Sequence, residues 1–66
     1  MIVYLDGVKT GILINKERGR VTSKDVFSLW VGFRFIGSYD SIDDAKTVVI
    51  EGLKEINITY QTLTIS

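Results

Sequence analysis

Hydrophobic and polar positions along the chain alternate in short runs, with one longer helical stretch near the end. Ile2-Val3-Tyr4-Leu5 is a first apolar run of strand length. Asp6-Gly7 ends it, a pair that favours a tight hairpin because glycine accepts positive φ without steric cost. Val8 to Ile14 reads as a second strand, with Gly11 marking a bulge. Asn15 to Lys24 is polar, carries Gly19, and reads as an exposed loop or hairpin tip. Within it, Arg20-Val21-Thr22 has the composition to extend a strand. In the third run, Val26 to Val31, Phe27, Leu29 and Val31 alternate with Val26, Ser28 and Trp30, and the first trio has the character of a core face. Gly32 offers a turn. Strict alternation through Arg34 to Tyr39 then puts Phe33, Phe35 and Tyr39 on one face, and Arg34, Ile36 and Ser38 on the other.

From Ser41 the period changes. Ile42, Ala45, Val49, Leu53 and Ile56 recur at helical spacing. Ser41 supplies an N-cap hydroxyl, and Asp43 and Asp44 suit the positive end of the helix. Asp43–Lys46 and Glu51–Lys54 are opposite charges at i,i+3. The β-branched run Thr47-Val48-Val49-Ile50 and the interior Gly52 oppose a helix, but the apolar stripe spans four turns and decides for it. Gly52 falls on the apolar side, where it would allow close approach to a sheet. Asn57 fits a C-cap. Ile58 to Ile65 reads as a last strand whose alternation slips near Gln61-Thr62, as at a bulge or bend. The order β-β-β-β-α-β predicts a single α+β domain over residues 1–66. Its architecture is a small antiparallel sheet of four to five strands with one helix packed on one face.

Composition narrows the chemistry. The chain has 66 residues, 45% hydrophobic, with no Cys, His or Pro. Disulfide scaffolds, Cys/His zinc sites and His-activated nucleophiles are thereby excluded. No Gly-rich phosphate loop is present. With no nucleophile, base and orienter to assemble, an enzyme is not expected. Asp40, Asp43 and Asp44 read as helix-start charges rather than metal ligands, so neither metal nor cofactor is expected. No apolar stretch approaches a membrane span, and residues 1–30 lack a signal-peptide pattern. These features, with the absence of Cys, predict a cytoplasmic protein with no membrane partner and no small-molecule substrate.

Net charge is zero, from eight basic and eight acidic residues, yet the charges are uneven along the chain. Lys16, Arg18, Arg20 and Lys24 against Glu17 leave a local excess of +3, and Asp40, Asp43 and Asp44 one of −3. Such segregation suits an oriented contact. The basic segment 16–24 is a candidate for gripping phosphate or an acidic patch. With Phe27, Leu29 and Val31 inside, Trp30, Arg34 and Ile36 share the outer sheet face. A Trp beside an Arg has the composition of an interface hot spot or a base-stacking set. The candidate partner-binding or nucleic-acid-binding residues are therefore Lys16, Arg18, Arg20, Lys24, Trp30 and Arg34.

The stretch Trp30-Val31-Gly32-Phe33-Arg34-Phe35-Ile36-Gly37-Ser38-Tyr39-Asp40-Ser41-Ile42-Asp43-Asp44-Ala45-Lys46 resembles the end of the sheet and start of the helix in the arm-site DNA-binding domains of tyrosine recombinases, and in related plant transcription-factor domains. That resemblance implies major-groove binding by a three-stranded sheet, with Trp30 and Arg34 as contacts. Those domains are basic, whereas this chain is neutral. The same outline is similar in style to small phage-encoded inhibitors, anti-CRISPR proteins among them, and to partial ribonuclease-H-like antitoxins. It implies action on a protein target.

Three functions follow. The leading one is a non-enzymatic module that works by protein–protein contact, in the manner of a phage or mobile-element inhibitor that occludes a partner surface. The second is nucleic-acid binding through the sheet face and the loop 16–24. The third is a self-associating structural subunit, a homodimer built on a sheet edge or an apolar outer face.

Overall fold

The computed structural model describes residues 1–19 and 24–66. The elements are β1 (Ile2–Leu5), β2 (Val8–Arg18), β3 (Asp25–Val31), β4 (Arg34–Tyr39), α1 (Ile42–Glu55) and β5 (Leu63–Ile65). The five strands form one antiparallel sheet in the order β4-β3-β2-β1-β5, with the single helix against it. This is the small α+β architecture that the residue pattern predicts.

Two tight turns set the register. Asp6 and Gly7 have φ of 51° and 78°, the doubly positive turn whose twist matches the flanking strands. Gly32 has φ 61° and Phe33 follows it, so the β3–β4 turn has glycine at the first central position, as a type II′ turn requires. The expected irregularity at Gly11 is real: the β1–β2 register shifts between Ile2 and Tyr4. There the Thr10 hydroxyl donates to Val3 O at 2.6 Å and accepts from Ile12 N at 3.2 Å.

The second strand is longer than its apolar run. Residues 15–18 belong to β2, paired from Asn15↔Ser28 to Arg18↔Asp25, where polarity alone suggested a loop. Ladder hydrogen bonds come from the backbone, so a charged extension pairs as well as an apolar one. Strand assignment for Arg20-Val21-Thr22 lies outside the described residues.

Helix α1 starts and stops as its termini dictate. The Ser41 hydroxyl accepts from Asp44 N at 3.1 Å. Within the β-branched run, the Thr47 hydroxyl donates to Asp43 O at 2.9 Å. At the far end Asn57 adopts φ 60°. Asn57 N donates to Lys54 O at 3.2 Å and Ile58 N to Leu53 O at 3.0 Å, the paired bonds of a Schellman motif. Asn57 thus sits one position past the cap Ile56. The pairs Asp43–Lys46 and Glu51–Lys54 do not close. The ion pair found among the described residues is Lys16–Asp25 at 3.4 Å.

The core is the seam between helix and sheet. Ala45, Val49 and Leu53 bury against Val3, Ile14 and Leu29, one residue from each of the three central strands. Gly52 plays no part in close packing. A methyl built there meets nothing within 4 Å, so helix–sheet approach does not require this glycine. Replacing an exposed helix glycine by alanine removes an entropic penalty of up to ~1 kcal/mol. Gly52→Ala is expected to raise the thermal midpoint by about 2–8 °C in a domain this size, read by circular dichroism melting.

The last strand is shorter than its sequence run. Only Leu63–Ile65 pairs, with Val3–Leu5 of β1, and residues 58–62 wrap past the helix end without strand structure. The slip near Gln61-Thr62 marks this entry. Here the Asp6 carboxylate accepts from Gln61 N and Thr62 N, both at 2.8 Å, and from the Thr62 hydroxyl at 3.4 Å. The Thr62 amide, then the Gln61 amide, hold the Asp6 pKa below its ordinary value, against a small desolvation effect. A depressed folded-state pKa contributes stability that is complete above the unfolded value, about 3.9, and is lost as pH falls through the folded one. Asp6→Asn keeps a residue tolerant of positive φ and an acceptor oxygen but removes the charge. Its urea midpoint is expected to lie below the native one at neutral pH and to converge on it in acid. A gap that stays constant with pH would refute the charge argument.

Candidate functional site

The sequence candidates do not form one surface. Strand neighbours on opposite sides of a pleat are set by register, and β4 carries a shift: Leu29 pairs with Gly37 but Trp30 with Phe35. Ile36 is the extra residue, and the bulge turns the strand over by one position. Phe35 therefore shares the helix-free face with Trp30. Their rings meet edge to face at 5.2 Å and 61°. Arg34 pairs with Val31 and lies on the helix side, as does Ile36. Phe33, in the turn, is on neither face and is fully exposed. The expected grouping of Trp30, Arg34 and Ile36 is thus broken by the bulge, and so is that of Phe33, Phe35 and Tyr39.

Trp30 is half-buried, and its indole N–H is sealed from solvent with no acceptor among the described residues. Beside it on the same face, the buried Ser28 hydroxyl donates to Glu17 Oε2 at 2.9 Å.

Nor do the described basic residues stand apart from the acidic ones. Arg18 and Lys24 border a hollow at the start of α1 together with Asp25 and Asp40, over Phe27 and Ser41. Of the described basic residues, Arg18 and Lys24 thus share one hollow with two carboxylates. Lys16 is more than half exposed in its pair with Asp25, a contact worth ~0–1 kcal/mol. Arg20 lies outside the described residues. Among the described residues no three acidic side chains are placed to hold a metal ion, and no helix is long and apolar enough to cross a membrane.

What the fold does assemble is an apolar groove of about 220 Å³ at the opposite end of the molecule, between α1 and the β3–β4 hairpin. Its floor is Leu29 and Leu53. Ile12, Val31 and Ile36 form the strand wall. Val48, Gly52 and Ile56 form the helix wall, since positions 48, 52 and 56 line one side of a helix. Much of the wall is open to solvent, with Ile36 43% and Ile56 64% exposed. Gly52 leaves a gap in the helix side, and the bulge turns Ile36 inward.

Sequence reasoning missed this groove because its strand wall depends on the bulge. Two signals were present: an aromatic in a turn at Phe33, and a helix stripe that includes Gly52 and ends in an isoleucine. No family model matches the chain, and no curated protein or solved structure matches it significantly.

Proposed function

We propose that this protein is a non-enzymatic contact module that binds a protein partner through the groove between α1 and the β3–β4 hairpin. The observation that carries this reading is an open apolar groove with the fully exposed Phe33 in the turn just beyond Val31 of its wall. The largest exposed apolar patch of a small monomer, typically ~300–600 Å², is often its functional surface. At about 220 Å³ the groove is smaller than the ~300–1,000 Å³ typical of small-molecule sites, and it lacks the convergent polar groups that orient a substrate. A module of this kind acts sterically, covering its partner's surface, as an inhibitor does. Nucleic-acid binding is less well supported, because Arg18 and Lys24 share their hollow with Asp25 and Asp40.

The test uses the purified protein as bait in lysate beside a Gly52→Leu variant. Gly52 lines the groove and a Cβ there meets nothing within 4 Å, so the added side chain has room to grow into the groove. A polypeptide, foreign or a second copy of this chain, that survives nuclease on the native bait and is lost from the variant supports the reading. Equal capture by both baits, or capture that vanishes with nuclease, overturns it.

A further inference from the structure

We infer that the occupant of the groove is a second copy of this chain, each copy laying its Phe33 into the other's groove. The inference rests on the groove reading above and names its partner. Five observations lead to it. Knob and hole occur at the same end of one molecule: Phe33 adjoins Val31 and Arg34 at the β3–β4 turn, and Val31 lines the groove. Yet Phe33 is fully exposed, so it does not fill the groove of its own copy. A two-fold axis relating two such ends supplies each hole with a knob, and this isologous arrangement closes at two copies rather than growing into a filament.

The groove's two lips are also complementary. Arg34 stands on the strand side, opposite Val31. Glu55 follows Val48 by seven residues and Gly52 by three, so it lies on the groove side of the helix. Both are exposed, and neither makes an ion pair among the described residues. The same axis that exchanges Phe33 brings each Arg34 to the other copy's Glu55. Zero net charge leaves no long-range repulsion between copies.

The area suffices. Taking about 200 Å² for a fully exposed aromatic side chain, Phe33 with Val31, Ile36 and Ile56 presents roughly 500 Å² a copy. Two copies reach the ~1,000 Å² at which a specific interface becomes credible. An interface at that lower bound implies a dimer that dissociates in the micromolar range rather than an obligate one.

Sedimentation equilibrium from low micromolar protein to roughly 1 mM decides this. The native chain is expected to rise from its 7.4 kDa monomer mass to twice that. Phe33→Asp and Gly52→Leu are expected to stay monomeric, with far-UV circular dichroism confirming that both remain folded. Arg34→Glu and Glu55→Arg should each weaken the dimer about tenfold or more, and the double exchange should restore it to near the native constant. Native protein that stays monomeric throughout overturns the inference, as does a dimer indifferent to Phe33→Asp. If the native chain is monomeric but retains a foreign polypeptide that Gly52→Leu loses, the second copy is refuted while the groove reading stands. If neither copy nor foreign polypeptide depends on Gly52, both fall.

Discussion

Leu29→Ala is expected to cost about 3 kcal/mol and to raise the ratio of unfolded to folded molecules by roughly a hundredfold. Leu29 is 2% exposed and sits at the centre of β3. Ile14 is its partner on β2 and Gly37 its partner on β4. Because Gly37 carries no side chain, the surroundings have little material with which to close a cavity. The Tyr39 ring covers Gly37, its hydroxyl only 2.9 Å from where a methyl would stand, and is already committed to that position. A 66-residue domain holds roughly 3–10 kcal/mol in total, so the loss is a large share of the whole. Urea unfolding followed by far-UV circular dichroism should show the midpoint falling by about 2 M or more at the slope usual for small domains. Ile36→Ala, at a position 43% exposed, serves as the control and should cost less than ~1 kcal/mol. A Leu29→Ala loss no larger than the control's would mean that the seam between α1 and β3 is not where the fold is held.

The contrast between these two positions also shows which parts of the molecule can be read from residue order. Turns and helix ends were legible because their chemistry is local. Asp6-Gly7, Gly32, Ser41 and Asn57 each satisfy a backbone requirement within a few residues. The helix stripe was legible because four turns of period outweighed the β-branched run and Gly52. The inner face of β3 followed simple alternation. Failures occurred where one strand's position depends on another's. A single extra residue at Ile36 reversed the facing of Phe35 and moved Ile36 to the helix side, and nothing in Arg34–Tyr39 announces that shift. The charged end of β2 reads as loop because its pairing energy comes from β3's backbone rather than from its own side chains. The separation of basic and acidic residues along the chain is not kept at Arg18 and Lys24, which line one hollow with Asp25 and Asp40. The candidate site suffered most, since both the proposed Trp30–Arg34 face and the charge patches were long-range inferences. The groove that replaces them is long-range too, drawing on β2, β3, β4 and α1 together.

Trp30 carries the second large effect, and it separates packing from polarity. On the helix-free face Trp30 lies across from Leu13 and edge-on to Phe35. Trp30→Ala removes both contacts and is expected to cost ~3 kcal/mol. Trp30→Phe keeps the aromatic pair and much of the area while deleting the sealed indole N–H, which has no acceptor among the described residues. A buried donor left unsatisfied costs about 1–3 kcal/mol. Its removal should therefore offset the smaller ring, leaving Trp30→Phe within ~1 kcal/mol of the native protein. Urea midpoints measured by far-UV circular dichroism, which does not depend on the lost fluorophore, give both values. If Trp30→Phe proves as damaging as Trp30→Ala, the indole N–H makes a bond in solution that stabilises the sheet. The aromatic contact would then not be what holds this face.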